Sequence, residues 1–434
     1  MIMKLDYGWK TPQDFQRWGP YVSFGVHAES EMRVSWQSKF FSIDEWIRYG
    51  ETRDLEHKKE RKTEPRRIHH FILEDLKPDT QYYFQISRSE DFNQDKAPVY
   101  TFHTGPKEGE PVKFEFGVAA DIHATKGRAA KTFSSATENA PDIQFFISCG
   151  DSVTHGGRES AWNEFFYEFD EYKNNFALMN TTGNHDTDHV ETYARFLNTF
   201  NHPYFDHREG AFYYFIYGNA VFIMLDSDNA GQRKGLQGVI SDEQMEWLEE
   251  ILEKYALKDY WIFIGMHHQV YSTGDFGMMH MYDLAYRYLF DEYHVDAVFY
   301  GHDHHFEVFW TGRDTEWGGT HYMLVGNGGA GVDLKIRNKN LEPHGPHYLW
   351  KGRTYIYDRD GILGGNPNGT RNDDLVKKAH VYGVMENGFT HFTIDKDVCE
   401  IRMWGWENQL YFKNKIRRTN TGKKYHKPEL IREF

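Results

Sequence analysis

The chain has 434 residues, more than one hydrophobic core usually serves, so two domains or one large domain with an appendage are expected. Hydrophobic residues make up 39% and aromatics 17%, with 13 prolines, which excludes disorder on a large scale. A formal charge of −15 argues against a nonspecific grip on nucleic acid or on an anionic membrane, since both rely on a basic surface.

The opening stretch, "MIMKLDYGWKTPQDFQRWGP", lacks a basic segment followed by an apolar one, and no later run reaches the roughly 18 apolar residues of a membrane span. A cytoplasmic protein with no membrane partner is the expectation, or a secreted one if a leader has been trimmed away. Cys149 and Cys399 are too few for a disulfide framework, and Cys149 sits in a strand-like run as a buried thiol with no chemical role.

From Tyr21 to Thr104 the pattern is short and alternating: "EMRVSWQSK", "EWIRYGE", "HHFILEDL", "TQYYFQISRS" and "PVYTFHTG", each bounded by turn-prone residues. That spacing predicts a small β-sandwich. In "MRVSW", Met32, Val34 and Trp36 fall on one face and Arg33 and Ser35 on the other, as in a half-buried strand.

After "GPKEGEPV" the texture changes to apolar runs separated by helix-length segments: "KFEFGVAAD", "IQFFISCGD", "FALMNTTGNHD", "AVFIMLDSD", "YWIFIGMHH" and "VDAVFYGHDHH". Near-continuous apolar strands are covered on both faces, which predicts an α/β layered domain. Between two of them, "SDEQMEWLEEILEKY" predicts a helix with Ser241 and Gln244 at capping-box spacing and Met245, Leu248, Leu252 and Tyr255 on its buried face. Residues 336–378 are rich in Gly, Asn, Asp and Pro and predict a long irregular excursion. Strand texture then resumes, and the chain ends in "KNKIRRTNTGKKYHKPE", expected as a solvated basic tail.

Five of the six apolar runs end in side chains that can bind metal: Asp121 and His123, Asp151, then Asn184 with His185 and Asp186, then His267 with His268, and His302 with His304. In open α/β sheets, sites form beyond the carboxyl ends of the strands, so these scattered residues are expected to converge. Residues two apart on extended chain point the same way, which pairs Asp121 with His123 and His302 with His304 and turns Asp303 and His305 elsewhere. Imidazole and carboxylate donors without thiolate suit borderline cations such as Fe, Zn or Mn. Asp151 is placed to bridge two of them, and such a pair can hold an activated hydroxide and a phosphoryl group together during in-line displacement.

The ordered blocks "DIH", "GDSV", "GNHD", "MHH" and "GHDH" resemble the calcineurin-like metallophosphoesterases. The resemblance implies one metal held by Asp121, His123, Asp151 and His304 and a second by Asp151, Asn184, His267 and His302. It implies His185 as the protonated histidine that stabilises the phosphoryl group or donates to the leaving oxygen, with Asp186 orienting it and favouring its protonated form. His267 is taken over His268 because the family's ligand is the first histidine of that block.

The amino-terminal stretch, with "RVSWQS", "WIRYGE", "LEDLKPDTQYYFQI" and "YTFHTGP", is similar to the fibronectin type III-like domain of plant-type purple acid phosphatases, and "VDAVFYGHDHHFE" and "VGNGGAG" resemble the later part of that group's chains. The implied architecture is a fibronectin type III-like β-sandwich over residues 1–106 and a four-layer α/β/β/α metallophosphoesterase domain over 107–434. The implied function is binuclear-metal-dependent hydrolysis of phosphate esters, as an acid-phosphatase-like phosphomonoesterase acting on small phosphorylated substrates. The alternatives are a phosphodiesterase acting on nucleotide or lipid-headgroup diesters and a non-catalytic binding module with a vestigial metal site.

The chain departs from purple acid phosphatases at His123, where they carry glycine, and at Thr154, where they carry the tyrosine that binds ferric iron. Val308 also follows "HHFE", where an arginine is expected. Outside the blocks, His280 and His155 are expected as substrate contacts or surface histidines, Asp226 as a strand-end anchor and His305 as a packing or hydrogen-bonding residue. Nothing assigns a role to Tyr271 or Asp275.

Overall fold

A computed structural model of the chain describes residues 16–92, 98–187, 190–205, 211–228, 241–256, 258, 260–274, 277–279, 283–312, 317–330 and 379–418. His280, Asp275, the predicted excursion at 336–378 and the chain beyond 418 lie outside the described residues.

The amino-terminal strands are β1 (Gln16–Phe24), β2 (Met32–Gly50), β3 (His57–Leu73), β4 (Gln81–Ser87) and β5 (Tyr100–His103). Hydrogen bonds join all five into one antiparallel sheet that makes the β-sandwich. The predicted strands "MRVSW" and "EWIRYGE" are one strand: Met32–Gln37 pairs with β1 and with the end of β3, while Trp46–Gly50 pairs with β4 and the start of β3. Between these halves the register with β3 shifts at Gln37/Ser42, a bulge that carries Phe40, Phe41 and Ile43 into solvent. Bulges of this kind need no glycine or proline, so the sequence offers no mark of it.

Trp36 is buried in the core as expected, but Ser35 on the opposite face is buried as well. Its hydroxyl meets His70 Nδ1 at 2.8 Å, and His70 Nε2 meets the backbone oxygen of Asn198 in the following domain at 2.9 Å. The second face of the strand is therefore covered by the neighbouring domain. Trp18 stacks on Phe166 at 4.1 Å, Tyr21 donates to the backbone oxygen of Thr199, and Arg67 forks onto Glu159.

That domain is built on two sheets. The first has β6 (Phe114–Ala119), β7 (Phe145–Cys149) and β8 (Ala177–Thr181) side by side and parallel. The second has β9 (Tyr213–Tyr217), β10 (Ala220–Met224), β11 (Trp261–Gly265), β12 (Ala297–Tyr300), β13 (Phe306–Trp310), β14 (His321–Val325) and β15 (His380–Val384). The chain then returns to the first sheet as β16 (Gly388–Asp395), β17 (Val398–Gly405) and β18 (Leu410–Arg417).

β18 corrects the predicted tail: its alternating Lys413 and Lys415 read as a charge run, yet they lie on an edge strand. Lys415 pairs with Glu400, and Arg418 is buried on Asp296 with its guanidinium 4.1 Å above the Trp261 ring. Alternating charge on an edge strand is a common way to keep it from pairing further.

Aromatic rings fill the space between the sheets. Phe116 stacks on Phe145 and Phe392 of its own sheet, at 5.2 and 4.7 Å, and meets Phe222 and Phe263 of the other edge-on at 5.0 and 5.5 Å. The alternate residues of the same strands face outward onto helices. Phe146 packs against Phe133 of α1 (Arg128–Asn139), with α2 (Glu159–Phe169) beside it. Val221 and Ile223 pack under the helix at Asp242–Ala256. The order of layers is helix, sheet, sheet, helix, as the doubly apolar runs require.

Ser241 caps the Asp242–Ala256 helix, its Oγ accepting the Gln244 amide at 3.1 Å. Gln244 does not return the bond; its side chain pins both the N–H and the oxygen of Asp226. The buried face is correspondingly rotated, with Trp247 and Ile251 beside Leu248, Leu252 and Tyr255, and Met245 only half-buried.

Candidate metal centre

The carboxyl ends of β6, β7, β8, β11 and β12 meet at one edge of the double sheet. Asp121, Asp151, His267 and His302 each lie two residues past a strand end, and Asn184 three past one. The structure brings all seven predicted metal ligands together there. Asp151 Oδ2 lies 3.4 Å from both His123 Nε2 and His267 Nε2. On one side of it, Asp121 Oδ1 is 3.5 Å from His304 Nε2 and 3.9 Å from His123 Nε2. On the other, Asn184 Oδ1 is 3.0 Å from both His267 Nε2 and His302 Nδ1.

These residues fit a pair of cations. Asp121, His123 and His304 can offer three donor atoms within 4.8 Å of one another, as can Asp121, Asp151 and His267. Asp121 Oδ1 and His123 Nε2 are buried with no hydrogen-bond partner, an arrangement that costs free energy unless something else engages them. The donors are nitrogen and oxygen throughout, because the Cys149 thiol is buried elsewhere and burial pushes it further from ionisation.

The backbone is as unusual as the side chains. Asp121, His123, Asp151 and His302 have φ of 54°, 43°, 53° and 75°, in the left-handed region that costs a non-glycine residue about 1–3 kcal/mol when the surroundings impose it. The expected pairing of Asp121 with His123 is thus made by a turn, not by extended chain. Backbone amides lock it: Asp121 Oδ2 accepts the N–H of His302 and Asp151 Oδ1 that of His185, both at 2.8 Å. Gly150, at φ 83°, allows close approach, since a Cβ there would stand 2.6 Å from His267 Nδ1.

Crowding of charge shifts the titrations in opposite directions. Burial raises the Asp151 carboxyl, but His267 and His123 outweigh it and hold it well below the usual range. Burial disfavours the His267 cation, yet Asp151 and Asp121 push it up to about 10. His302 falls to about 3 through burial and the nearness of His267. His268 is also depressed, by burial and by His302, and its Nδ1 sits 3.1 Å from Ser227 Oγ rather than on the Asp151 side.

His185 is at the rim, with Nε2 4.0 Å from Asp151 Oδ2 and the ring 40% exposed. The expectation that Asp186 orients it is corrected. Asp186 turns inward, where its carboxylate accepts the amides of Ser152, Val153 and Gly183 and, through burial and Asp151, is raised well above the usual range. The His185 ring is instead held at Nδ1 by the backbone oxygen of Thr154, 2.9 Å away. The backbone oxygen of Cys149 does the same for His267 at 3.0 Å. Backbone oxygens carry no mark in the sequence, so neither was predictable from residue type.

His155 is exposed on the loop that follows Asp151, and its backbone oxygen accepts the Arg158 amide. Asp226 is a strand-end anchor, accepting from Thr182, Ala211 and Asp228. Asp303 and His305 turn away from the site, and Tyr271 packs on Tyr322.

Comparison with known proteins agrees with this architecture. Residues 114–306 match the calcineurin-like phosphoesterase family and residues 18–104 the purple acid phosphatase N-terminal domain. A phosphoenolpyruvate phosphatase of Allium cepa is 26% identical over 255 residues, 55% of this chain and 50% of that protein. The Fe(3+)-Zn(2+) purple acid phosphatase 12 of Arabidopsis thaliana is 26% identical over 264 residues, 55% of this chain and 52% of that one. The chain thus spans about half the length of these curated relatives. A purple acid phosphatase from yellow lupin (Lupinus luteus) seeds shares the fold, with a TM-score of 0.67 at 17% identity over 92% of this chain and 74% of that one. The chain carries a purple acid phosphatase N-terminal domain followed by a calcineurin-like phosphoesterase domain.

Proposed function

We propose that the protein hydrolyses phosphate monoesters at a two-metal centre held by Asp121, His123, Asp151 and His304 on one side and Asp151, Asn184, His267 and His302 on the other. The observation that carries this reading is Asp151, buried midway between His123 and His267 with the remaining donors divided on either side of it. The cations, Fe, Zn or Mn by donor type, would supply Lewis acidity and lower the pKa of water at the site.

The chain's own groups supply the rest. The Thr154 oxygen accepts the proton on His185 Nδ1, so in the imidazolium form the second proton, on Nε2, faces the rim and passes to the leaving oxygen, leaving a neutral ring. Asp186 acts on this step only indirectly, by folding the turn that presents Asn184 and His185. His155, exposed on the loop after Asp151, is the proposed further contact to the phosphate.

The test is a paired turnover assay with an aryl phosphate monoester and the matching diester, on protein reloaded separately with Mn, Zn and Fe. Faster monoester turnover supports the proposal. Faster diester turnover transfers the site to phosphodiester chemistry, the reading that His123 favours because purple acid phosphatases carry glycine there. No turnover with any metal supports a binding module. With Thr154 in place of the expected tyrosine, the iron-loaded protein is expected to lack a visible tyrosinate band.

A further inference from the structure

The segment His302–Glu307 has two sides. His302 and His304 turn into the metal centre, while Asp303, His305 and Glu307 turn the other way and are all buried. Asp303 Oδ2 accepts the Ser272 hydroxyl at 2.5 Å. Glu307 Oε2 accepts the Thr273 amide at 2.8 Å, and Oε1 takes the Thr273 hydroxyl. His305 Nε2 lies 3.0 Å from Glu307 Oε2, and His380 Nε2 3.4 Å from Oε1.

Ser272 and Thr273 belong to the loop that leaves β11 through His267. The Glu307 carboxylate therefore ties the loop carrying one metal's histidine to the turn carrying His302 and His304. The approach is tight at Gly274, where a Cβ would stand 2.6 Å from the His305 ring and 2.7 Å from the Asp303 carboxyl carbon. A carboxylate on this face of β13 is costly, because Leu324 opposite it and Phe309 two residues on belong to a buried apolar cluster, and it persists only with partners that satisfy it.

We propose that Glu307, bonded to His305 and Thr273 and assisted by the parallel Asp303–Ser272 bond, is a positioning residue that fixes the spacing between the two histidine-bearing loops of the metal centre. The inference rests on the two-metal reading above. Groups that hold metal ligands in place commonly govern affinity as strongly as they govern rate.

The test uses the full-length protein, titrated with Mn(II) and, for its ligand-field spectrum, with Co(II). Glu307→Gln is expected to weaken Mn(II) binding about 10–100-fold and to alter the Co(II) spectrum, as loss of a ligand-supporting group does. Glu115→Gln is the control. It breaks a similar buried pair, Glu115 with His391 at 2.9 Å, at the opposite end of β6, and should lower the melting temperature while leaving metal affinity unchanged. Ser272→Ala should move affinity in the same direction by less, and it decides the question by the same criterion if Glu307→Gln does not fold.

Mn(II) affinity within about threefold of wild type in the folded variant, far short of the usual loss, overturns the proposal. Equal metal loss in Glu115→Gln does the same, because the effect would then be one of general stability. A wild-type protein that binds neither cation overturns the two-metal reading as well, so the two failures are distinguishable.

Discussion

The space between the two sheets of the phosphoesterase domain and the rim at their carboxyl ends lie a few residues apart on the same strands, yet they are built from opposite materials. Phe116 sits among the rings of Phe145, Phe222, Phe263 and Phe392. Five residues further on, Asp121 is equally buried, has φ 54° and carries an oxygen without a hydrogen bond. The first environment yields stability and the second spends it. A metal ion would return part of the cost, because binding to the folded state alone stabilises it.

Substitutions on either side sharpen that contrast. Asp151→Ala removes the shared carboxylate, so metal content and turnover should both fall to background, read by elemental analysis and by the assay. Turnover at wild-type level would refute the bridging assignment. His185→Ala should lower turnover about 10²–10⁴-fold, the range for a lost general acid, with both metals retained. Metal loss in that variant would place His185 among the ligands. Phe116→Ala should cost about 3–5 kcal/mol in denaturant unfolding while leaving the metal affinity of the folded fraction intact.

The last effect depends on pH. His267 is pushed up to about 10 in the metal-free protein by Asp151 and Asp121 against the opposing effect of burial, so a cation must displace its proton. Apparent affinity should fall about tenfold per pH unit on acidification below that value for each proton released. The same pair stabilises the metal-free fold below the ordinary histidine range, and His267's share is lost as pH rises toward 10. An affinity that does not change between pH 6 and 8 would show that the pair is not what the cation displaces.

The layered fold and the sandwich were legible because apolar periodicity is written in side chains. "KFEFGVAAD" and "AVFIMLDSD" needed cover on both faces and have it. The gathering of seven donors followed from strand ends, which local pattern reveals. What was not legible depended on backbone or on neighbours. The turns at Asp121, His123 and Asp151 replace an extended chain; the Thr154 oxygen, not Asp186, meets His185; and Trp247 and Gln244 rotate the buried face of their helix. β18 was read as a tail because lysines on an edge strand look like lysines in solvent. Glu307 left one trace, a lone carboxylate inside "HFEVFW".

The bond network between the sandwich and the phosphoesterase domain has a consequence for how the chain comes apart. β1 and α2 share a stack, Trp18 on Phe166, and one continuous hydrophobic cluster runs from Trp18 to Phe392. A cut between them would expose aromatic surface on both pieces, so the two regions are expected to melt in a single transition and neither to survive excision. Two stretches that match separate families along the sequence are thus expected to behave in this molecule as one unit of unfolding.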